Sequence, residues 1–238
     1  MILAGLVAGG SGTRMHSNVP KQFMEIGGEP ILVRTVRSFC QVDAIDGILI
    51  GVPKDRIDET ENLLKHYPEI ETYGKRIVVC AGGDSRTETL RKLMTEAESS
   101  FHAEAEDILL THDAVRPFVT TAIIEANIEA MKQARACSTA IPASDTVLIS
   151  MDGDSVYTVP KRSTMFMAQT PQTVRFGDFR DILDSLSEAE LAETTDMCGI
   201  YAKKGIQVTM VPGSNENIKI TNPSDIAVGE AILKNRES

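Results

Sequence analysis

Arg14 and Lys21 follow, at short range, an apolar run that ends in a glycine-rich loop: residues 2–22 read ILAGLVAGGSGTRMHSNVPKQ. Gly9, Gly10 and Gly12 let main-chain N–H groups close on an anion without a Cβ in the way, and the two cations supply the counter-charge that backbone dipoles cannot. The layout suits a strand whose carboxyl end opens onto a phosphate chain, and so a nucleotide. Three better-known patterns fail by residue. A P-loop needs Gly-Lys where Met15 and His16 stand. The dinucleotide fingerprint starts at Gly10 and Gly12 but meets Met15 in place of its third glycine. The hydrolase elbow G-x-S-x-G fits Gly9 and Ser11 and fails at Thr13. The plain alternative is a strand-to-helix turn that merely needs glycine, but such a turn does not call for two cations.

Three later segments offer matching polar groups, each with a plainer structural reading beside it. In AGGDSRTET (81–89), Gly82 and Gly83 permit close backbone approach, and Asp84, Ser85, Arg86 and Thr89 offer polar contacts. The same residues read as a helix start, with Asp84 or Ser85 as N-cap and Glu88 completing a capping box, and both readings can hold together. In THDAVRP (111–117), Asp113 at a strand end suits a Mg²⁺ shared with nucleotide phosphates, because Mg²⁺ usually takes only one or two protein carboxylates. The alternatives are a turn with a local hydrogen bond at His112-Asp113 and a salt bridge for Arg116. In NIKIT (217–221), strand alternation puts Ile218 and Ile220 on one face and Lys219 on the other, toward the cleft or simply into solvent. Asp225, two residues after Pro223, reads as a first-turn helix acid. His16, His66, His102 and His112 show no metal-ligand spacing, and no Ser-His-Asp arrangement is apparent.

The elements that must position these groups alternate along the chain. Strands are expected near 2–8, 47–52, 76–80, 107–111 and 137–142, and helices near 30–41, 54–66, 86–98 and 120–134. This is the pattern of a mostly parallel sheet with helices on both faces. Residues 143–162 break it: two β-rich runs flank Asp152-Gly153, a hairpin turn signal, and predict a projecting β-arm. A two-stranded arm has too little core to stand alone in water, which points to a second subunit. The chain returns through a strand near 165–169, helices near 175–186 and 195–203, a strand near 206–211, a short strand at NIKIT and a helix near 223–234. With 238 residues and no linker, one α/β domain is expected. A net charge of -10 argues against nucleic acid or an anionic membrane as partner. Dispersed cysteines and the lack of a signal peptide or long apolar span point to the cytoplasm.

Taken in order, AGGSGTRM, PKQ, GGDSR, HDAVRP, QTPQ (169–172), TD (195–196) and NIKIT resemble the cytidylyltransferases that activate sugar-alcohol phosphates, over residues 2 to about 226. That family includes methylerythritol phosphate enzymes of isoprenoid synthesis and ribitol 5-phosphate enzymes of teichoic acid synthesis. The resemblance implies a Rossmann-like nucleotidyltransferase fold and a homodimer in which each arm reaches the other subunit's site. It implies the reaction of CTP with a polyol phosphate, with Mg²⁺, to give a CDP-alcohol and pyrophosphate. By motif position, Ala8, Gly9, Gly10, Gly83, Asp84 and Thr89 would surround cytosine and ribose, and Arg14 and Lys21 would hold the triphosphate. Asp113 would sit near Mg²⁺ and Lys219 near the α-phosphate, while Thr146, Arg162, Thr170 and Thr195 would meet the acceptor. Many methylerythritol enzymes read A-A-G and TDDAS where this chain has Ala8-Gly9-Gly10 and Thr195-Asp196-Met197-Cys198, and these features, with THDAVRPF, look more like the ribitol branch. Two other classes compete: a nucleotide-sensing module, which does not need Arg14, Lys21 and Lys219 together, and an oxidoreductase, which Met15 disfavours.

Overall fold

The apolar run that opens the chain forms β1 (Ile2–Val7), followed by a small hairpin, β2 (Glu25–Ile26) and β3 (Glu29–Pro30), and helix α1 (Ile31–Cys40). The computed structural model describes residues 1–9, 19–187, 190 and 196–237. Next come β4 (Gly47–Val52), α2 (Ile57–Lys65), β5 (Arg76–Ala81), α3 (Arg86–Phe101), β6 (Ile108–Asp113), α4 (Thr121–Ala130) and β7 (Ala136–Pro142). Beyond the expected arm lie β8 (Phe166–Arg175), α5 (Phe176–Asp184), α6 (Met197–Lys203), β9 (Thr209–Pro212) and α7 (Pro223–Glu237). Seven strands make one sheet in the order β5-β4-β1-β6-β8-β7-β9, and every pairing is parallel except the two that β8 makes.

Alternation along these strands builds a core on each face. Ala4, Leu6, Ile48, Ile50 and Leu110 pack with Val33, Val36 and Phe39 of α1 on one side. Leu3, Leu49 and Leu109 pack with Leu90 and Leu93 of α3 and Phe179 of α5 on the other. Because both faces are covered, β4 is buried along its whole length, which is why it reads as a continuous apolar run. The chain leaves β1 toward β4 and β5, then returns across β1 to β6, so the sheet has its topological switch point at the carboxyl ends of these strands.

Three expectations need correction. Residues 143–162 do not form two strands. The turn is present, with Gly153 at φ +85° and the Asp152 carboxylate accepting from the backbone N–H groups of Asp154 and Ser155, but the only pairing is one bridge, Ile149 to Thr158. Leu148, Met151 and Tyr157 are exposed, and no packed face among the described residues supports a ladder. The strand expected near 165–169 runs on to Arg175, straight through Pro171. The register with β7 shifts between Ser138 and Ala140, opposite that proline, which lets a residue without an N–H sit inside a central strand. NIKIT is not a strand: it joins no ladder and is held by side chains and by Ile220 N–H donating to the Val115 carbonyl. The alternation there still holds, with Ile218 and Ile220 packed inward. The helix start in GGDSR and the first-turn role of Asp225 stand as expected.

Candidate active site

The carboxyl ends of four parallel strands open into a cleft of about 710 Å³. Ala8 and Gly9 follow β1, Pro53 to Asp55 follow β4, Gly82 to Arg86 follow β5, and Asp113 ends β6. Lys21 and Lys219 close the lining. The structure thus brings together Ala8, Gly9, Lys21, Gly83, Asp84, Thr89, Asp113 and Lys219 from separate stretches of sequence. Gly10, Arg14 and Thr195 lie outside the described residues. Thr146 and Arg162 are exposed on the arm and do not line the chain's own cleft, and the Arg162 guanidinium donates to the Ser144 carbonyl at 3.3 Å.

The loop after β5 is shaped by its own helix. Ser85 is the N-cap of α3, its Oγ accepting from Glu88 N–H at 3.1 Å, while the Glu88 carboxylate accepts from Asp84 N–H at 2.8 Å. Thr89 Oγ1 accepts from Gly83 N–H at 3.0 Å and donates to the Ser85 carbonyl at 2.9 Å, so this buried hydroxyl holds the loop's shape. Gly83 is required there, since a Cβ would stand 2.4 Å from Glu88 Cγ. On the other side of the cleft, Gln22 Nε2 donates to the Ala8 carbonyl at 3.1 Å, and Ala8 N–H donates to Gly51 O at 2.8 Å. The glycine-loop entrance is thereby tied to both β4 and the PKQ segment.

Asp113 is the electrostatic centre. Its carboxylate lies 2.9 Å from Lys219 Nζ, 3.4 Å from Arg86 Nε and 3.7 Å from Arg116 Nε. Burial opposes its charge, yet Arg86, Lys219 and Arg116 outweigh it and hold the carboxyl well below the usual carboxylate range. Asp113 N–H donates to Thr170 Oγ1 at 3.2 Å, and that hydroxyl meets His112 Nδ1 at 2.9 Å. His112 Nε2 faces the Arg116 carbonyl at 3.1 Å, so Nε2 carries the proton and Nδ1 accepts from Thr170. His112 and Asp113 are therefore the buried end of β6 rather than an exposed turn, and Thr170 sits beneath Asp113 with little surface of its own.

Lys219 is 41% exposed at its side chain, so its ammonium both pairs with Asp113 and faces the cleft. Among the described residues no group of three His, Cys, Asp or Glu side chains could hold a metal ion. A divalent cation here would need oxygens brought by a ligand. The sequence reading missed Gln22, Lys54 and Lys92 in the lining. Lys54 had a usable signal, since Pro53-Lys54-Asp55 stands directly at the end of an apolar strand, as the other site loops do. Lys92 had none beyond its position two turns into α3, where its Nζ donates to the Gly82 carbonyl at 2.9 Å.

Comparison with known proteins finds relatives over nearly the whole chain. A protein named ribitol-5-phosphate cytidylyltransferase from Streptococcus pneumoniae is 37% identical over 235 residues, covering 98% of this chain and 99% of that protein. The crystal structure of 4-diphosphocytidyl-2C-methyl-D-erythritol synthase from Anaerococcus prevotii superposes with a TM-score of 0.80 at 27% identity, covering 98% of each chain. That of 2-C-methyl-D-erythritol 4-phosphate cytidylyltransferase from Francisella tularensis gives 0.79 at 26% identity, covering 97% of this chain and 98% of the other. The family model for 2-C-methyl-D-erythritol 4-phosphate cytidylyltransferase matches residues 2–235, and the chain belongs to that family of CTP-dependent nucleotidyltransferases.

Proposed function

We propose that the chain joins CTP to D-ribitol 5-phosphate, giving CDP-ribitol and pyrophosphate. The observation that carries this reading is the Asp113–Lys219 pair at 2.9 Å, set at the end of a cleft floored by two glycine-bearing loops. The choice of acceptor is supported by the 37% identity to the pneumococcal protein named for ribitol 5-phosphate and by the Ala8-Gly9-Gly10 and Thr195-Asp196-Met197-Cys198 sequences.

A phosphate monoester with a second pKa near ~6 is largely dianionic at neutral pH, so one of its oxygens can attack the α-phosphorus of CTP without a general base. A new P–O bond forms to the acceptor phosphate as the bond to the β-phosphate oxygen breaks, and pyrophosphate leaves with that electron pair. The protein must align the two phosphates and neutralise charge on the equatorial oxygens. Lys219 and Lys21 supply fixed positive charge at the cleft, and the resemblance assigns Arg14 to the triphosphate beside them. Asp113 aims Lys219 rather than taking a proton, since its carboxyl is held ionised by its cations. Asp113 would also hold Mg²⁺ together with the triphosphate, where the metal supplies charge neutralisation at the phosphoryl oxygens. Thr146, Arg162 and Thr195 are the acceptor contacts in this reading, whereas Thr170, buried with its hydroxyl shared between Asp113 N–H and His112 Nδ1, supports Asp113 from beneath. The exposed apolar side chains of residues 143–162 support a homodimer, with the arms of one subunit completing the site of the other. No described helix is long and apolar enough to cross a membrane. The buried thiols of Cys40, Cys80 and Cys137, none of them in a disulfide, suit a reducing compartment, which supports a place in the cytoplasm.

A second reading takes methylerythritol 4-phosphate as acceptor, favoured by the family model and by the names of the superposing structures. The test is pyrophosphate release from CTP and Mg²⁺ with each acceptor in parallel. Faster turnover with ribitol 5-phosphate is expected, and preference for methylerythritol 4-phosphate would overturn the first reading.

A further inference from the structure

Lys219 lies in a segment with no strand of its own, between β9 and α7. Something other than a ladder must fix it, and the side chains of the QTPQ run do so. Gln169 is buried in β8, with Nε2 donating to the Ser214 carbonyl at 2.8 Å and Oε1 accepting from Ser214 N–H at 3.3 Å. The same Oε1 accepts from Asn217 Nδ2 at 3.3 Å, and that amide also donates to the Thr170 carbonyl at 2.9 Å. Asn217 is fully buried, and its main-chain carbonyl accepts from the Arg116 guanidinium at 2.7 Å. One glutamine therefore holds both ends of residues 214–217, two positions before the cleft lysine.

A second feature independently serves the same contact. A Cβ at Gly213 would stand 2.4 Å from Gln169 Oε1, with Thr139 Cγ2 at 2.9 Å and Ile141 Cγ2 at 3.1 Å behind it. The φ of Gly213 is not in the left-handed region, so the need for glycine comes from close packing, tightest against Gln169 and next against Thr139. The space left by the missing side chain is shared by the Gln169 amide and the Thr139 methyl group, with the amide the nearer.

We propose that Gln169, Asn217 and Gly213 form an amide latch that positions Lys219 for the transfer step. This rests on the reading of Lys219 as the cation at the α-phosphate. Gln169 acts only through that lysine and does not line the cleft. Displacing a reacting group's partner by about 1 Å can cost on the order of 10²-fold in rate, so the latch matters even though it touches no ligand.

The test uses the full chain with Gln169→Ala and, from the opposite side of the contact, Gly213→Ala. Hydrogen–deuterium exchange should rise about tenfold at residues 213–221 in both variants while β1 and β4 keep their wild-type protection. Pyrophosphate release should fall roughly 10- to 100-fold in kcat. The Gln169→Ala/Lys219→Ala double variant should be no slower than Lys219→Ala alone, because a residue that acts through Lys219 has nothing left to act on. Unchanged exchange at 213–221 in both variants, or losses that multiply in the double variant, would overturn the latch. If the wild type releases no pyrophosphate from CTP with either acceptor, the functional reading falls, and the exchange result still decides the latch.

Discussion

Lys21 lines the cleft wall with its side chain mostly buried, which fixes the place of its charge at the mouth of the glycine loop. Lys21→Ala should lower turnover by roughly 10² or more, by analogy with the loss of one preorganised donor, and leave the thermal transition nearly unchanged. Steady-state pyrophosphate release decides this, and near-wild-type turnover would remove Lys21 from the reaction. His112 makes a separate prediction about stability. Burial pushes it down to about 4 from its ordinary 6.5, with the Arg116 carbonyl and Asp113 pulling the other way. Between those two values the unfolded chain binds a proton that the folded chain refuses, so stability is complete above about 6.5 and is lost as pH falls toward 4. Denaturant melts from pH 7 to 4.5 should show a loss on the order of 2–3 kcal/mol from this group. His112→Gln should flatten that part of the profile, and an unaltered slope would mean that other groups carry the acid sensitivity.

The α3 N-terminus is where local sequence and site geometry coincide. Ser85 caps the helix, Glu88 closes the box, and Thr89 folds the preceding glycines back onto the first turn. Ser85→Ala should cost about 1 kcal/mol of stability in urea unfolding through loss of the cap. No change would mean that Thr89 and Glu88 suffice to start the helix. This element was legible from sequence because a capping box is a local code, written within four residues. The central strands were legible for a similar reason, since alternation in β1, β4 and β6 reports two covered faces directly. The carboxyl half of β8 was not, because Pro171 ordinarily ends a strand, and only its partner β7 makes room by shifting register. NIKIT was misread for the converse reason: its Ile-Lys-Ile alternation is real, but it records packing against α7 and Val115 rather than a ladder. The same limit applied to the site. Asp113 and Lys219 could be named from their loops, yet their 2.9 Å pairing depends on Gln169 and Asn217, whose contacts span 45 to 48 residues of sequence.

At the scale of the whole molecule, the arm is the feature that one chain does not explain. Residues 147–159 expose Leu148 at 58%, Met151 at 80% and Tyr157 at 74%, an apolar set on a hairpin secured by a single bridge and a tight Asp152 turn. Three such side chains in water on a segment too small to fold alone call for a covering surface. Thr146 and Arg162 flank this set and are absent from the cleft of their own subunit. If a second copy covers the arm, both facts have one cause: the arm gains a packed face and delivers its polar ends to the neighbouring site. Sedimentation equilibrium of the wild type should therefore give twice the 25.9 kDa chain mass. Leu148→Asp combined with Tyr157→Asp should shift the population toward monomer, because two buried apolar contacts become charges that the interface cannot solvate. Turnover should fall with the dimer fraction while CTP binding to the cleft persists, since the loops that line the cleft follow β1, β4, β5 and β6 of a single chain. A wild type that sediments as a monomer would remove the second copy as the arm's partner. A monomeric variant with undiminished turnover would instead leave the dimer standing and show that each cleft is complete without its neighbour's arm.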